Sequence, residues 1–554
     1  MPHGKQRRAA EVRRDIAPED WLRFQRVYER AERAGDLDRM ASALLEYCGP
    51  RLAGMRTANR ELLLARLREL AASIDPRSSL GLQIRARLAS EQGNHRTLLV
   101  IVREATEAGD PTARATALGL AHHRLLGPGC PQRPRLRRAL AAELVAESAR
   151  TGQDANALEG LLYQTVDLFI DGDRHAGRSL TELREVLARR QHPPISGHVQ
   201  AIEVMLSIRA GRLDLAEAGA EARYEWATAL EHHDATPVYW GQLAAVRWYQ
   251  GRIAELLPRM HDPHLALADS GPYAMLALAA AAAGDRFAAE SAIASLVGRD
   301  RPRSGWWLAS MLLVVEAAVL LGDAETCARA YETLRPYADQ PAVAGLAVVC
   351  LGSMQHALGL AALGAGDVDR AVEHLRLAVQ DNLALRHWPA LIRSRTRYAQ
   401  ALTRRRGADD AALAHQQVTA AREEAAALGL PTGPHDEPAA GDRGPVTCRR
   451  EGQWWLLRFD GREVRVPSRS GLPYLAVLLA DPARDITAAE LAAGVDALRT
   501  AAREVPAPGE QDRVRSTVSK AIRRCIDSIS RVDAELGRHL RATVRTGTHC
   551  SYRP

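Results

Sequence analysis

Residues 362–375 read ALGAGDVDRAVEHL: a small residue, then Gly366, then the acid Asp367, then an amphipathic run opening with Ala371. Glycine lets a chain leave one helix through a positive-φ turn, and an acid directly after it can cap the next helix. The same signature recurs at Ala34-Gly35-Asp36, Ala108-Gly109-Asp110, Ala210-Gly211-Arg212, Ala283-Gly284-Asp285 and Leu321-Gly322-Asp323. Each of these glycines is expected to mark a helix-to-helix turn. Along Gly172, Gly211, Gly251, Gly284, Gly322, Gly366 and Gly407 the spacings are 39, 40, 33, 38, 44 and 41 residues. That is the period of a helical-hairpin repeat.

Working outward, residues 362–375 resemble the tetratricopeptide pattern, in which Gly-Asp precedes a helix whose early Ala lets its neighbour approach. The resemblance spans roughly Trp21 to Leu430 and is closest around the last four turns. It implies a helical-repeat array that leaves a concave surface, used for binding a peptide, a protein or a small-molecule effector, or for homo-oligomerisation. Aromatic residues cluster at Tyr239, Trp240, Trp248, Tyr249, Trp306 and Trp307. Core packing is the expected role for these, ahead of a ligand-lining one.

The 554 residues are too many for one compact core, and a 46% hydrophobic, 25% charged composition is that of a soluble protein. The net charge of +7 is unevenly placed. From Val446 onward 19 Lys and Arg face 13 Asp and Glu, a net of +6, leaving +1 for everything before. The seven cysteines are dispersed without C-x-x-C pairs, and the adjacent histidines at 122–123 and 232–233 would point different ways on a helix. Neither a metal site, a cofactor nor a disulfide framework is expected. The longest apolar stretch, Trp306 to Leu321, contains Glu316 and is short for a membrane span, so a buried helix and a cytoplasmic protein without membrane contact are expected. With lysine only at positions 5 and 520 there is no phosphate loop, and no H-E-x-x-H or G-x-S-x-G occurs. The expectation is that the chain is not an enzyme.

The domain plan read from the chain is a mobile segment 1–20, a helical-repeat domain 21–430, a Pro/Gly-rich linker 431–445, and a distinct domain 446–554. In the last, Trp454 to Phe459 and Val464 to Val466 flank the turn signal Asp460-Gly461. Leu472, Leu475, Leu478 and Leu479 mark a first helix, and Thr487-Ala488-Ala489-Glu490 is a capping box for a second. A third helix is expected from Asp512 to Val532, with Val514, Val518, Ile522, Cys525, Ile529 and Val532 on its apolar side. Its other side carries Arg513, Ser516, Thr517, Lys520, Arg523 and Arg524, with Asp527 the nearest acid. Cations interleaved with short hydroxyl side chains suit a groove lined by phosphates. A terminal hairpin from Ala542 to Tyr552 turns at Thr546-Gly547-Thr548.

This order resembles the OmpR-type winged-helix DNA-binding domain, also used by the actinobacterial SARP antibiotic regulators. The features that match are the leucine-rich first helix, the break at Asp481-Pro482-Ala483-Arg484, the 487–491 cap, the 514–524 helix, and a wing of Thr543-Val544-Arg545 with Gly547 and Tyr552. The resemblance implies a mostly α protein, a tetratricopeptide-like α-solenoid followed by a small α+β winged helix, acting as a transcriptional regulator on double-stranded DNA. Base-edge contacts would come from Arg513, Ser516, Thr517 and Lys520, with Arg523, Arg524 and Arg545 on phosphates and Thr546 and His549 in the wing. The chain departs from the family in its wing sequence, its long 494–509 connection, two readable leading strands where the family has four, and the absence of a receiver domain. A scaffold whose winged helix contacts a protein such as RNA polymerase is the alternative.

Overall fold

The computed structural model describes residues 19–48, 57–128, 133–229, 234–260, 271–297, 303–430, 446–451, 454–459, 462–468, 471–481, 484–497 and 511–553. The expected lead-in, apart from Glu19 and Asp20, and the expected linker 431–445 lie outside these residues. The protein is mostly helical with a few small antiparallel sheets, and it divides into two compact units, Met1–Gly433 and Pro434–Pro554.

In the first unit helices follow one another through short turns and pack on their neighbours in chain order. Met354–Gly364, Val368–Ala384, Trp388–Arg405 and Asp410–Leu428 form one such series. The turns work as the Gly-Asp signature predicts. Gly109, Gly322 and Gly366 have φ of 64°, 66° and 89°, and the following Asp110, Asp323 and Asp367 each accept a backbone N–H of the next helix. The series also extends into the N-terminal part, where Gly93 and Gly152 take the same conformation and Asn94 caps in place of Asp. Gly407 is an exception. There Arg406 is the left-handed residue, at φ 59°, while the Gly407 N–H and the Arg405 guanidinium both donate to the Asp410 carboxylate.

The 44-residue spacing from Gly322 to Gly366 holds something the helical period does not predict. After a short 3-10 turn at Arg335–Tyr337, strands β1 (Pro341–Ala344) and β2 (Val349–Ser353) form an antiparallel hairpin. Every residue from 341 to 353 is buried. Proline ends the helix, Val343, Val348 and Val349 favour strand, and Gly345 and Ala347 turn the chain at φ 59° and 58°. The hairpin touches helices as far apart in sequence as Asp154–Ile170, Ala235–Tyr249 and Trp388–Arg405. Val343, Leu346, Ala347 and Cys350 join one core cluster and Ala342, Ala344, Val348, Val349 and Leu351 the other.

A two-stranded hairpin in an apolar interior leaves its outer backbone groups to be satisfied by side chains. Gln242 Nε2 donates to the carbonyls of Ala201 and Val348, both at 2.9 Å. The Ser353 N–H donates to Asn382 Oδ1 at 2.9 Å, and the Gly345 N–H to the Gly305 carbonyl at 3.0 Å. His387 Nε2 lies 2.9 Å from the Cys350 carbonyl, while its Nδ1 accepts the Ala390 N–H. One neutral tautomer serves both bonds.

Beside the hairpin runs a buried polar seam. Glu316, on the Trp307–Leu321 helix, is met by Arg393 at 2.9 Å, His356 at 3.3 Å and Arg397 at 3.9 Å. Burial alone would raise its pKa, yet the surrounding cations hold the carboxyl well below the usual range. Arg393 also lies 4.4 Å from the Trp248 ring centroid. His122 is buried too, 3.0 Å from Asp167, which also takes the Arg137 guanidinium. Tyr239, Trp240, Trp248 and Tyr249 are core residues, whereas Trp306 and Trp307 are half-buried. Among the described residues no helix is long and apolar enough to cross a membrane.

Burial pushes the His387 pKa down to about 3, against about 6.5 in an unfolded chain. Between those values the unfolded state binds a proton that the folded state does not, so this stability is complete above pH 6.5 and falls as pH drops. Taking the protein from pH 7 to pH 5 should therefore cost wild type about 2 kcal/mol more than His387→Gln, read from urea midpoints. Equal losses in the two proteins would contradict a neutral, buried His387.

Candidate nucleic-acid interface

The second unit starts with a three-stranded antiparallel sheet, β3 (Thr447–Glu451), β4 (Trp454–Phe459) and β5 (Arg462–Pro467). Two strands were expected. β3 escapes notice because of Arg449 and Arg450, and pairs along β4 from Thr447↔Arg458 to Glu451↔Trp454. Then come α1 (Leu472–Ala480), β6 (Ile486–Thr487), α2 (Ala488–Ala497), α3 (Gln511–Val532), α4 (Ala534–Thr543), β7 (Val544–Arg545) and β8 (His549–Tyr552). β8 lies between β6 and β7, with Ile486↔Cys550 and Val544↔Tyr552 in register.

The basic helix begins one residue before the expected start. Val518, Ile522, Cys525, Ile526 and Ile529 are buried in the unit's core. Val532 is not; it is 57% exposed, and Ile526 joins the core side. α3 ends at Val532 as expected, but the chain goes straight into α4, which the periodicity does not predict. Asp533 ends α3 and its carboxylate caps α4 through the Leu536 N–H at 2.9 Å, turning the chain before Val532 can bury. The crossing is close, since a Cβ on Gly537 would stand 2.0 Å from Ser530 Oγ. The hairpin expected to begin at Ala542 is helical through Thr543.

Three contacts fix α3 and the terminal hairpin within the unit. Gly471, just before α1, passes so near α3 that a Cβ would lie 2.1 Å from the Ala521 carbonyl oxygen. The capping box forms as expected, with the Glu490 N–H donating to Thr487 Oγ1 at 3.2 Å and the Thr487 N–H to Glu490 Oε2 at 3.0 Å. Those bonds hold Glu490 below its ordinary pKa. The Ala488 N–H donates to the Thr548 carbonyl at 3.0 Å, tying the hairpin turn to the start of α2. Tyr552 is fully buried, and its hydroxyl accepts the Val446 N–H at 2.8 Å and lies 3.1 Å from His539 Nε2.

On the surface of α3, Ser516, Thr517, Lys520, Arg523 and Arg524 are exposed together, joined by Arg515, which the sequence reading did not single out. The side chain of Arg513 lies outside the described residues. Arg545 on β7 and His549 on β8 are exposed, and Thr546 in the turn is half-buried. Asp527, the acid nearest the basic face, is paired with Arg541 of α4 at 2.9 Å. Asp485 is similarly taken by Arg553 at 3.0 Å and held below its ordinary pKa, chiefly by a hydrogen bond from Ser551. Lys520, Arg523 and Arg524 make no ion pair with other described residues, so their charge faces solvent. This surface can neutralise a polyanion. Among the described residues no His, Cys, Asp and Glu cluster could hold a metal ion. Burial raises the Cys448 thiol to about 12 and raises the Cys550 thiol as well.

Gly471→Ala should force α1 off α3 and destabilise the second unit by about 1–3 kcal/mol. Hydrogen exchange of amides 514–530 in the full chain should accelerate accordingly, and unchanged exchange would refute the close packing. Comparison with protein-family models gives no match for this chain, and comparison with curated proteins gives none either.

Proposed function

We propose that the protein is a DNA-binding transcriptional regulator, in which a tetratricopeptide-like helical array controls a C-terminal winged helix of the OmpR and SARP kind. The observation that carries this is the exposed Lys520, Arg523 and Arg524 face of α3, which makes no ion pair with other described residues, on a helix packed against α1, α2 and α4. Support for the winged-helix reading comes from the order sheet, α1, β6, α2, α3, followed by a terminal hairpin whose inner strand pairs with β6. The additional helix α4 before the hairpin is a departure from the family pattern.

In this reading α3 enters the major groove. Ser516, Thr517 and Lys520, with Arg513, reach base edges, Arg523 and Arg524 meet phosphates, and Arg545, Thr546 and His549 approach the backbone from the wing. The first unit serves as a sensor or oligomerisation module. An effector or a second copy would act by changing which half-sites two C-terminal units reach together.

For about five phosphate contacts, log K for mixed duplex DNA should fall against log salt with a slope near −4 to −5. The Lys520→Ala, Arg524→Ala double variant of the full chain should lower that slope by about 2 and weaken binding at every salt concentration. A flat salt response, or full binding by the double variant, would refute the DNA reading and turn attention to a protein partner.

A further inference from the structure

The first unit contains a cavity that the helical packing does not close. It opens between Trp240 on the Ala235–Tyr249 helix and Trp306 at the head of the Trp307–Leu321 helix, with Gly241, Ala244 and Ala309 along its floor and Val349 of β2 on its wall. Its empty space, counted out to the mouth, is about 620 Å³. The cavity volume open to water is about 50 Å³, several times what one water needs. That is room for one or two rings rather than for a drug-sized molecule.

One wall of the cavity is closely packed. The Trp306 ring is lodged among glycines; a Cβ on Gly241 would stand 2.7 Å from it and one on Gly345, at the hairpin turn, 3.5 Å. The glycines give the indole room in this wall, and the short side chains of Ala244 and Ala309 leave the space beside it open. The lining is apolar, and its hydroxyl, that of Ser310, is committed to the Trp306 carbonyl at 2.9 Å. An apolar space without polar partners holds water poorly and takes an apolar guest. The indole of Trp240 is polarised by Arg259, 5.1 Å from its ring centroid, and flat rings stack favourably on such faces.

We propose that this cavity is a binding site for a small, flat, uncharged aromatic molecule, held between Trp240 and Trp306 and in contact with the buried hairpin through Val349. The site stands whether or not the C-terminal unit binds DNA. Because Val349 belongs to the strand that joins the two core clusters, an occupant stabilises the first unit by linkage.

The test uses indole as the probe, titrated calorimetrically into the full chain, with glycerol as a polar control of comparable size. Wild type should bind one indole per chain, with a negative heat-capacity change, and should not bind glycerol. Ala244→Leu and Ala309→Leu, each filling the cavity from a different helix, should weaken indole binding at least tenfold while circular dichroism stays that of wild type. Two variants are used so that misfolding of one leaves the other decisive. No saturable heat from wild type would overturn the proposal, and so would wild-type affinity in a folded filled variant.

Discussion

A strand hairpin buried inside a helical protein has to find partners for its backbone, and that requirement organises the first unit. Pro341 to Ser353 is surrounded by helices that share no ladder with it, so side chains finish the job: Gln242 on Val348, His387 on Cys350, Asn382 on Ser353. Leaving a buried carbonyl or N–H unpaired costs about 1–3 kcal/mol. Gln242, Asn382 and His387 are accordingly among the fully buried polar residues. The helices that supply them are held to one arrangement, because a shift of any one breaks a bond the interior cannot replace.

The same logic governs the charges. Glu316 would be expelled from the core but for Arg393, Arg397 and His356, and removal of one partner from such a cluster costs about 3–5 kcal/mol. A cluster of this kind adds little net stability over an apolar packing, but it penalises every misaligned one. In the second unit the distribution is reversed. Acids such as Asp527 and Asp485 are taken up by Arg541 and Arg553, while Lys520, Arg523 and Arg524, on one face of α3, make no ion pair with other described residues.

The helical turns were legible in the sequence because their physics is local. Glycine at positive φ and an aspartate cap are set by two adjacent residues, and the Thr487–Glu490 box by four. The hairpin β1–β2 was not legible, since an apolar run of Val, Ala and Leu between helices reads as another buried helix, and only its contacts with distant helices make it strand. β3 hid behind exposed arginines on a sheet edge. The end of α3 at Val532 was legible, but α4 was not, and nothing local reports that Gly537 packs against Ser530. Of the candidate surface, the exposure of Ser516, Thr517, Lys520, Arg523 and Arg524 followed from helical periodicity. The pairing of Asp527 with Arg541 depends on α4 and could not be read from spacing.

In the proposed function one face of α3 and the terminal hairpin meet duplex DNA together. Photo-crosslinking tests it most directly, with a photoreactive group placed in turn at positions 520, 545 and 383 of the full chain. Residue 383 is an exposed leucine of the first unit. Salt-sensitive cross-links to DNA are expected from 520 and 545 and none from 383. Cross-links absent at 520, or equal at all three positions, would contradict the proposed function.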